Sequence, residues 1–256
     1  VNDLKVFTSN RLEALADALA DEVAAGRGSL YDPVDLVVQN GLVEGFAKQR
    51  LARRLGIAAH VRARRLGAFL REVARASAPD TRIVDRDTIE GELLALFHDP
   101  ARCAGPELEP VRAYLTAAGA GGDDPDGRDR RRVQLAGKLA DLFEQYVFSR
   151  PEMLAAWRAR RLDADTDPVL QLWQRALWLA LVDRGGPLAS PGAATLPELY
   201  AATPAEALRA PPVHLFAISY VARLYRPIFA ALARANAVRI YALNPCREFW
   251  EDLAPT

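Results

Sequence analysis

The sequence predicts an α/β fold: a parallel sheet whose strands come from both ends of the chain, with a large all-helical insertion between them. Three observations support this. The first sixty residues alternate short apolar runs with amphipathic ones, residues 64–210 carry helical periodicity only, and two buried-strand patterns return near the end. Alternation of strand and helix implies crossover connections, and crossovers make strands parallel.

The first strand is Leu4 to Phe7, read from "KVFTSNRLEALADAL". A helix is expected from Asn10, with the Asn10 side chain as cap and Glu13 completing a capping box. Leu12, Leu15, Leu19 and Val23 give that helix one apolar stripe, and Gly26 and Gly28 end it. "VDLVVQ" is a second strand, β-branched and apolar enough to be buried on both faces. Asn40 and Gly41 turn it into the helix "LVEGFAKQRLARRLG", closed by Gly56, and a short third strand is expected at Ile57 to Val61.

Three apolar stripes organise the insertion. They are Leu66, Phe69, Leu70 and Val73; Ile89, Leu93, Leu96 and Phe97; and Val133, Ala136, Leu139, Phe143 and Tyr146. Ser149, Pro151 and Glu152 mark a further helix start with Ser149 as cap, and Asp167 and Pro168 mark another. "AGAGGDDPDG", Ala118 to Gly127, is expected to be a flexible loop. Then "PVHLFAIS" (Pro212 to Ser219) reads as a buried strand, "RPIFAALARA" as a helix, and "AVRIYALNP" as a strand stopped by Asn244 and Pro245. The expected division is residues 1–63 with 211–256 for the α/β part, and 64–210 for the helical insertion.

Composition excludes several classes. Acidic and basic residues balance at 33 each, so net charge points to no partner. The two cysteines, Cys103 and Cys246, stand apart, and the expectation is a reduced, cytoplasmic protein without a membrane span. His60, His98 and His214 lack metal-ligand spacing, and "DDPDG" lacks the later glutamate of a calcium loop, so no metal and no cofactor is expected.

A phosphate-gripping loop needs a glycine-rich turn for backbone N–H donors, a lysine for the β/γ charge and a hydroxyl for magnesium. After the first strand this chain has Thr8, Ser9, Asn10 and Arg11 instead. "HLFAIS" ends in Ala217, Ile218 and Ser219, where an ATPase would place magnesium-holding carboxylates. No nucleophile elbow surrounds Ser9 or Ser219, and no catalytic residue is assigned. The positive feature is a run from Lys48 to Arg75 that holds Arg50, Arg53, Arg54, Arg62, Arg64, Arg65 and Arg71 with Glu72 as its one acidic residue. Such a run either neutralises phosphates or is a solvated face of an arginine-rich protein.

The segments "VFTSNRLEALADAL", "VVQNGLVEGFAKQRLARRLGIAAHV", "KLADLFEQYVFSRPEMLAAW", "HLFAIS" and "YALNPCREFWEDL" together resemble, in this order, the N-terminal part of the RecC family, the gamma chains of exodeoxyribonuclease V. The resemblance implies a P-loop-helicase-like, superfamily 1 fold with degenerate ATPase motifs. In that frame residues 1–63 and 211–256 would be a 1A-like domain and 64–210 a 1B-like insertion. It also implies a non-catalytic DNA-handling scaffold in the repair of double-strand breaks, with DNA (single strand and duplex end) and RecB-like and RecD-like motor subunits as partners. The DNA-contact residues expected on these grounds are Asn10, Arg11, Gln39, Asn40, Arg62, Arg64 and Arg65, with Asn244 and Arg247 at a strand's carboxyl end. Two alternatives stay open: a nucleotide held by an unconventional loop at Thr8 to Arg11, and a protein-interaction module that does not bind DNA.

Overall fold

The computed structural model describes residues 3–117, 125–164, 167–183, 186, 188–189, 192–218 and 225–244. The chain divides into two compact units, Val1–Pro79 with Leu199–Thr256, and Asp80–Glu198. The first unit opens with β1 (Leu4–Ser9), α1 (Leu12–Gly26), β2 (Val34–Val37), α2 (Gly41–Leu55), β3 (Val61–Arg64) and α3 (Leu66–Ser77). The second holds β4 (Arg82–Ile83), α4 (Arg86–Phe97), α5 (Glu109–Thr116), α6 (Pro125–Ser149), α7 (Pro151–Arg158), α8 (Pro168–Val182) and β5 (Ala193–Ala194). The chain continues through α9 (Leu196–Ala202), and β6 (Val213–Phe216), α10 (Tyr225–Ala235) and β7 (Val238–Leu243) complete the first unit.

In the α/β unit five strands pair in parallel, in the order β1-β7-β6-β2-β3. Strands from the two ends of the sequence therefore do share one sheet. Every residue of β2 is buried, Asp35 included, as befits a strand inside a parallel sheet covered on both faces. From β1 to β2 to β3 the chain steps across the sheet in one direction, so right-handed crossovers put α1 and α2 on the same face. Leu15, Leu19 and Val23 of α1 accordingly pack with Ala47 and Leu51 of α2 over Leu36, Phe216 and Tyr241. The step from β6 to β7 runs the other way, and the same rule sends α10 to the opposite face.

Two local expectations for this unit are corrected. Asn10 does not cap α1: Arg11 is the capping position and has no side-chain cap bond. β1 runs on to Ser9, and the Ser9 hydroxyl accepts from the Arg11 N–H at 3.1 Å, which closes the turn before Asn10 can reach the helix. The third strand begins at Val61, where Ile57 had been expected to start it. Gly56 ends α2 with a φ of 81°, and His60 also takes a left-handed φ of 52°, so the backbone is still turning until residue 61. The sixth strand likewise stops at Phe216, because Ala217 has a φ of 57°; Ser219 lies outside the described residues.

The other unit is built around Ile89, Leu93, Leu96 and Phe97 of α4, Ala136, Leu139 and Phe143 of α6, Trp157 of α7 and Trp178 of α8. A helix-only segment was expected, and a two-residue parallel pair between β4 and β5 is found inside it. Backbone bonds from Arg82 to Gly192 at 2.7 Å and from Val84 to Ala194 at 2.9 Å extend that pair. α6 begins at Pro125, so the last residues of the expected loop are helical; 118–124 lie outside the described residues. Val133 is 52% exposed and drops out of its predicted stripe. Ser149 donates to the Gln145 carbonyl at 2.7 Å, which ends α6 rather than capping α7. Asp167 does cap α8, accepting from the Val169 N–H at 2.8 Å.

Candidate nucleic-acid interface

Because all five strands of the sheet are parallel, their carboxyl ends lie along one edge. Asn10 and Arg11 follow β1, Gln39 and Asn40 follow β2, Arg65 follows β3 and Asn244 follows β7. The topology thus gathers six of the expected site residues along that edge from four separate strands. Connections leave β2 and its neighbour β6 in opposite directions, which opens the crevice where open α/β sheets bind ligands. Arg247 lies outside the described residues.

Local chemistry differs along this edge. Asn10, Arg11, Gln39 and Arg65 are exposed. Asn40 is partly committed: its side-chain oxygen accepts from the Val43 N–H at 3.0 Å and caps α2, which leaves its amide as a donor. Arg65 reaches the Val38 carbonyl at 3.4 Å. The Asn244 N–H donates to the Ser9 carbonyl at 2.9 Å and prolongs the β1–β7 ladder. Both α1 and α2 start at this edge, so two helix N-termini with their partial positive charge are placed there. Two acidic residues oppose them, Glu13 and Glu44 in the first turns, the latter paired with Lys48 at 2.8 Å.

Arg62 and Arg64 are placed differently. Both lie within β3 and share a face with Asp35 of β2, which is 1% exposed. Arg62 pairs with Asp35 at 2.6 Å, and Arg64 pairs with the other oxygen of the same carboxylate and with Glu72 of α3 at 3.0 Å. A buried carboxylate needs such partners. The two arginines therefore hold β3 against β2 and carry Arg65 into position at the end of the strand. Asp35 went unnoticed in the sequence, although two signs were present: an acid in a strand apolar on both faces, and arginines two apart in the next strand.

The opposite, amino edge contains a second charge network. Arg239 of β7 pairs with Asp3 at 2.7 Å and Glu22 at 2.6 Å. Beside it, His214 of β6 meets the Tyr241 hydroxyl at 3.0 Å, and a cavity of about 190 Å³ is lined by Arg27, Asp35, His214 and Arg239. Burial holds the His214 imidazole down at about 4, with the Arg239 cation acting the same way and the Glu22 and Asp35 carboxylates opposing it. The unfolded chain takes up this proton near pH 6.5, and the folded chain takes it up only near pH 4. Stability is thus complete above pH 6.5 and falls as the pH drops from 6.5 to 4, by about 3 kcal/mol for this group. Urea melts across that window should show the loss in the parent protein and a flatter profile in His214→Phe. Equal slopes would refute the assignment.

Among the described residues no helix is long and apolar enough to cross a membrane, and no cluster of three metal-ligating side chains occurs.

Fold and edge together define a class: a parallel α/β domain with a helical insertion and a polar, arginine-bearing carboxyl edge. Comparison with known proteins gives the family. The family model described as RecC, N-terminal domain, matches residues 4–256, and the chain belongs to the RecC family. It is 29% identical over 263 residues to the RecBCD enzyme subunit RecC of Escherichia coli, covering 98% of this chain and 22% of that protein. The Haemophilus influenzae protein of the same name is 25% identical over 285 residues, covering 97% of this chain and 24% of that one. The Mycolicibacterium smegmatis protein is 32% identical over 189 residues, covering 71% and 16%. The chain thus spans about a quarter or less of the length of these relatives.

Proposed function

We propose that this chain is the N-terminal, non-catalytic part of a RecC-type subunit, which holds DNA and positions RecB-like and RecD-like motor subunits in an exodeoxyribonuclease V that repairs double-strand breaks. In this reading residues 1–63 and 211–256 form a helicase 1A-like domain of superfamily 1 with degenerate ATPase motifs. Residues 64–210 form the 1B-like insertion.

One observation carries the proposal: the connection from β1 to α1 is two residues long, Asn10 and Arg11, and the Arg11 N–H is already bonded to Ser9. A loop that surrounds phosphates needs several consecutive free N–H groups and a lysine, and a connection of this length has no room for them. The same geometry weighs against a nucleotide seated at Thr8 to Arg11. What the edge offers is a row of exposed donors (Asn10, Arg11, Gln39, Arg65) and two helix N-termini, which suits a phosphodiester backbone. Asn40 adds an amide donor, Asn244 extends the row, and Arg62 and Arg64 act through the placement of Arg65.

Contacts of this kind position DNA and carry no base information. Fluorescence anisotropy with single-stranded oligonucleotides and with a duplex end, from about 50 to 200 mM salt, tests this directly. Arg11→Gln and Arg65→Gln should each weaken binding about equally on all sequences and lower the salt slope by about 1. No binding at low salt would sink the DNA reading and favour a protein-interaction module, and ATP turnover by the purified chain would sink the non-catalytic one.

A further inference from the structure

The helical unit holds a second cationic concavity, remote in sequence from the sheet edge. A cavity of about 420 Å³ is lined by Arg102 from the turn after α4, Glu107 from the short 3-10 turn (Pro106–Leu108) before α5, Arg160 from the turn after α7, and Arg175 and Asp183 at α8 and its end. Its apolar floor is Leu108, Ala176, Leu179 and Ala180. This volume is in the range of sites that take small ligands, about 300–1,000 Å³.

Two independent features distinguish it from an ordinary charged surface. The first is its charge balance. Arg160 is neutralised by Asp183. Among the described residues neither Arg102 nor Arg175 has a carboxylate within ion-pair distance, and the bond recorded for the Arg175 guanidinium is to the Arg160 carbonyl, at 3.4 Å. Among the described lining residues, with Glu107 included, three guanidiniums accompany two carboxylates. The second feature is the backbone of Arg160, which has a left-handed φ of 61°. α7 ends with the Arg160 N–H on the Trp157 carbonyl and the Arg161 N–H on the Ala156 carbonyl, a helix ending in which the left-handed position usually belongs to glycine. An arginine there carries a conformational cost of roughly 1 kcal/mol or more, and strain of this sort collects at ligand sites. The wall formed by the 103–105 loop is held by Arg112, which donates to the Cys103 and Gly105 carbonyls at 2.7 and 2.5 Å.

We propose that this cavity binds a phosphate-type oxyanion, with Arg102 and Arg175 as its paired cationic ligands and Arg160 closing the turn beside them. Guanidinium groups suit this role because their planar forks match phosphate oxygens two at a time. The phosphate belongs either to a free polyphosphate or to a nucleic-acid backbone.

Thermal melts and calorimetry of the full chain at low salt, with tripolyphosphate as the probe, provide the test. Tripolyphosphate should raise the melting temperature of the parent protein. Its Kd should rise at least tenfold in R102Q/R175Q, rise less in each single variant, and recover in part in Arg175→Lys. The R11Q/R65Q protein, altered at the sheet edge, should retain the response, which separates this site from the DNA surface proposed above. Displacement of tripolyphosphate by a single-stranded oligonucleotide would assign the phosphate to nucleic acid, and failure to displace it would assign it to a free anion. No response in the parent protein, or an undiminished response in folded R102Q/R175Q, overturns the proposal.

Discussion

Asp35→Ala should destabilise the α/β unit by about 3–5 kcal/mol, the range expected when one member of a buried ionic group is removed. The carboxylate is 1% exposed and faces two guanidiniums, of which Arg64 is 19% exposed and Arg62 40%. Without it Arg62 loses its carboxylate partner and Arg64 keeps only Glu72, which is 59% exposed and offsets its burial less well. Arg62→Gln should cost far less, about 1 kcal/mol or below, because Arg62 is partly solvated and Arg64 still neutralises Asp35. Replacing Asp35, Arg62 and Arg64 together with apolar residues of similar volume should recover most of the loss, since desolvating an ionic cluster often costs as much as the cluster returns. Urea denaturation of the three proteins decides the point. A single Asp35→Ala variant within 1 kcal/mol of the parent would mean that the cluster contributes little. If the edge holds DNA as proposed, the same variant should also weaken that binding indirectly, because β3 sets where Arg65 emerges.

The second large effect is expected in the helical unit. Trp157 is fully buried, and its indole N–H donates to the Gln171 side-chain oxygen at 3.0 Å. Gln171, itself fully buried, uses the same oxygen to accept from the Asp163 N–H at 2.8 Å and donates to the Asp163 carbonyl at 2.7 Å. The indole also meets the Tyr146 ring in a T-shaped contact, with centroids 6.0 Å apart. One side chain thus joins α6, α7 and α8. Trp157→Ala should cost about 3–5 kcal/mol, from lost transfer energy and a cavity that fixed helices cannot close. Trp157→Phe should cost about 1 kcal/mol, because most of the packing stays and Gln171 keeps its bonds to Asp163. Hydrogen exchange on the full chain localises the effect: peptides from α7 and α8 should lose protection in Trp157→Ala, and unchanged protection there would contradict this role.

Where the sequence was legible, local chemistry governed the outcome. Val34, Leu36 and Val37 made β2 legible as a buried strand in spite of Asp35; α8 begins where Asp167 and Pro168 say it should; and the stripes of α3 and α4 lie at helical spacing on their buried faces. The errors arose where two local signals competed. Asn10 and Ser9 could each close the turn before α1, and the length of β1, set by its pairing with β7, gave the position to Ser9. Ser149 could cap one helix or end another, and its hydroxyl went back to Gln145. The β4–β5 pair could not be read at all, because two residues separated by more than a hundred others leave no periodicity.

The candidate site shows the same division. Family membership and the absence of a phosphate loop were properties of the sequence alone, because both depend on which residues are present and in what order. Which arginines face outward was decided by tertiary structure. Arg62, Arg64 and Arg65 are nearly adjacent and chemically alike, yet the two-residue period of β3 turns the first two toward Asp35 and leaves the third exposed at the end of the strand. That outcome depends on the register between two strands, and register is set by long-range pairing that no single segment encodes.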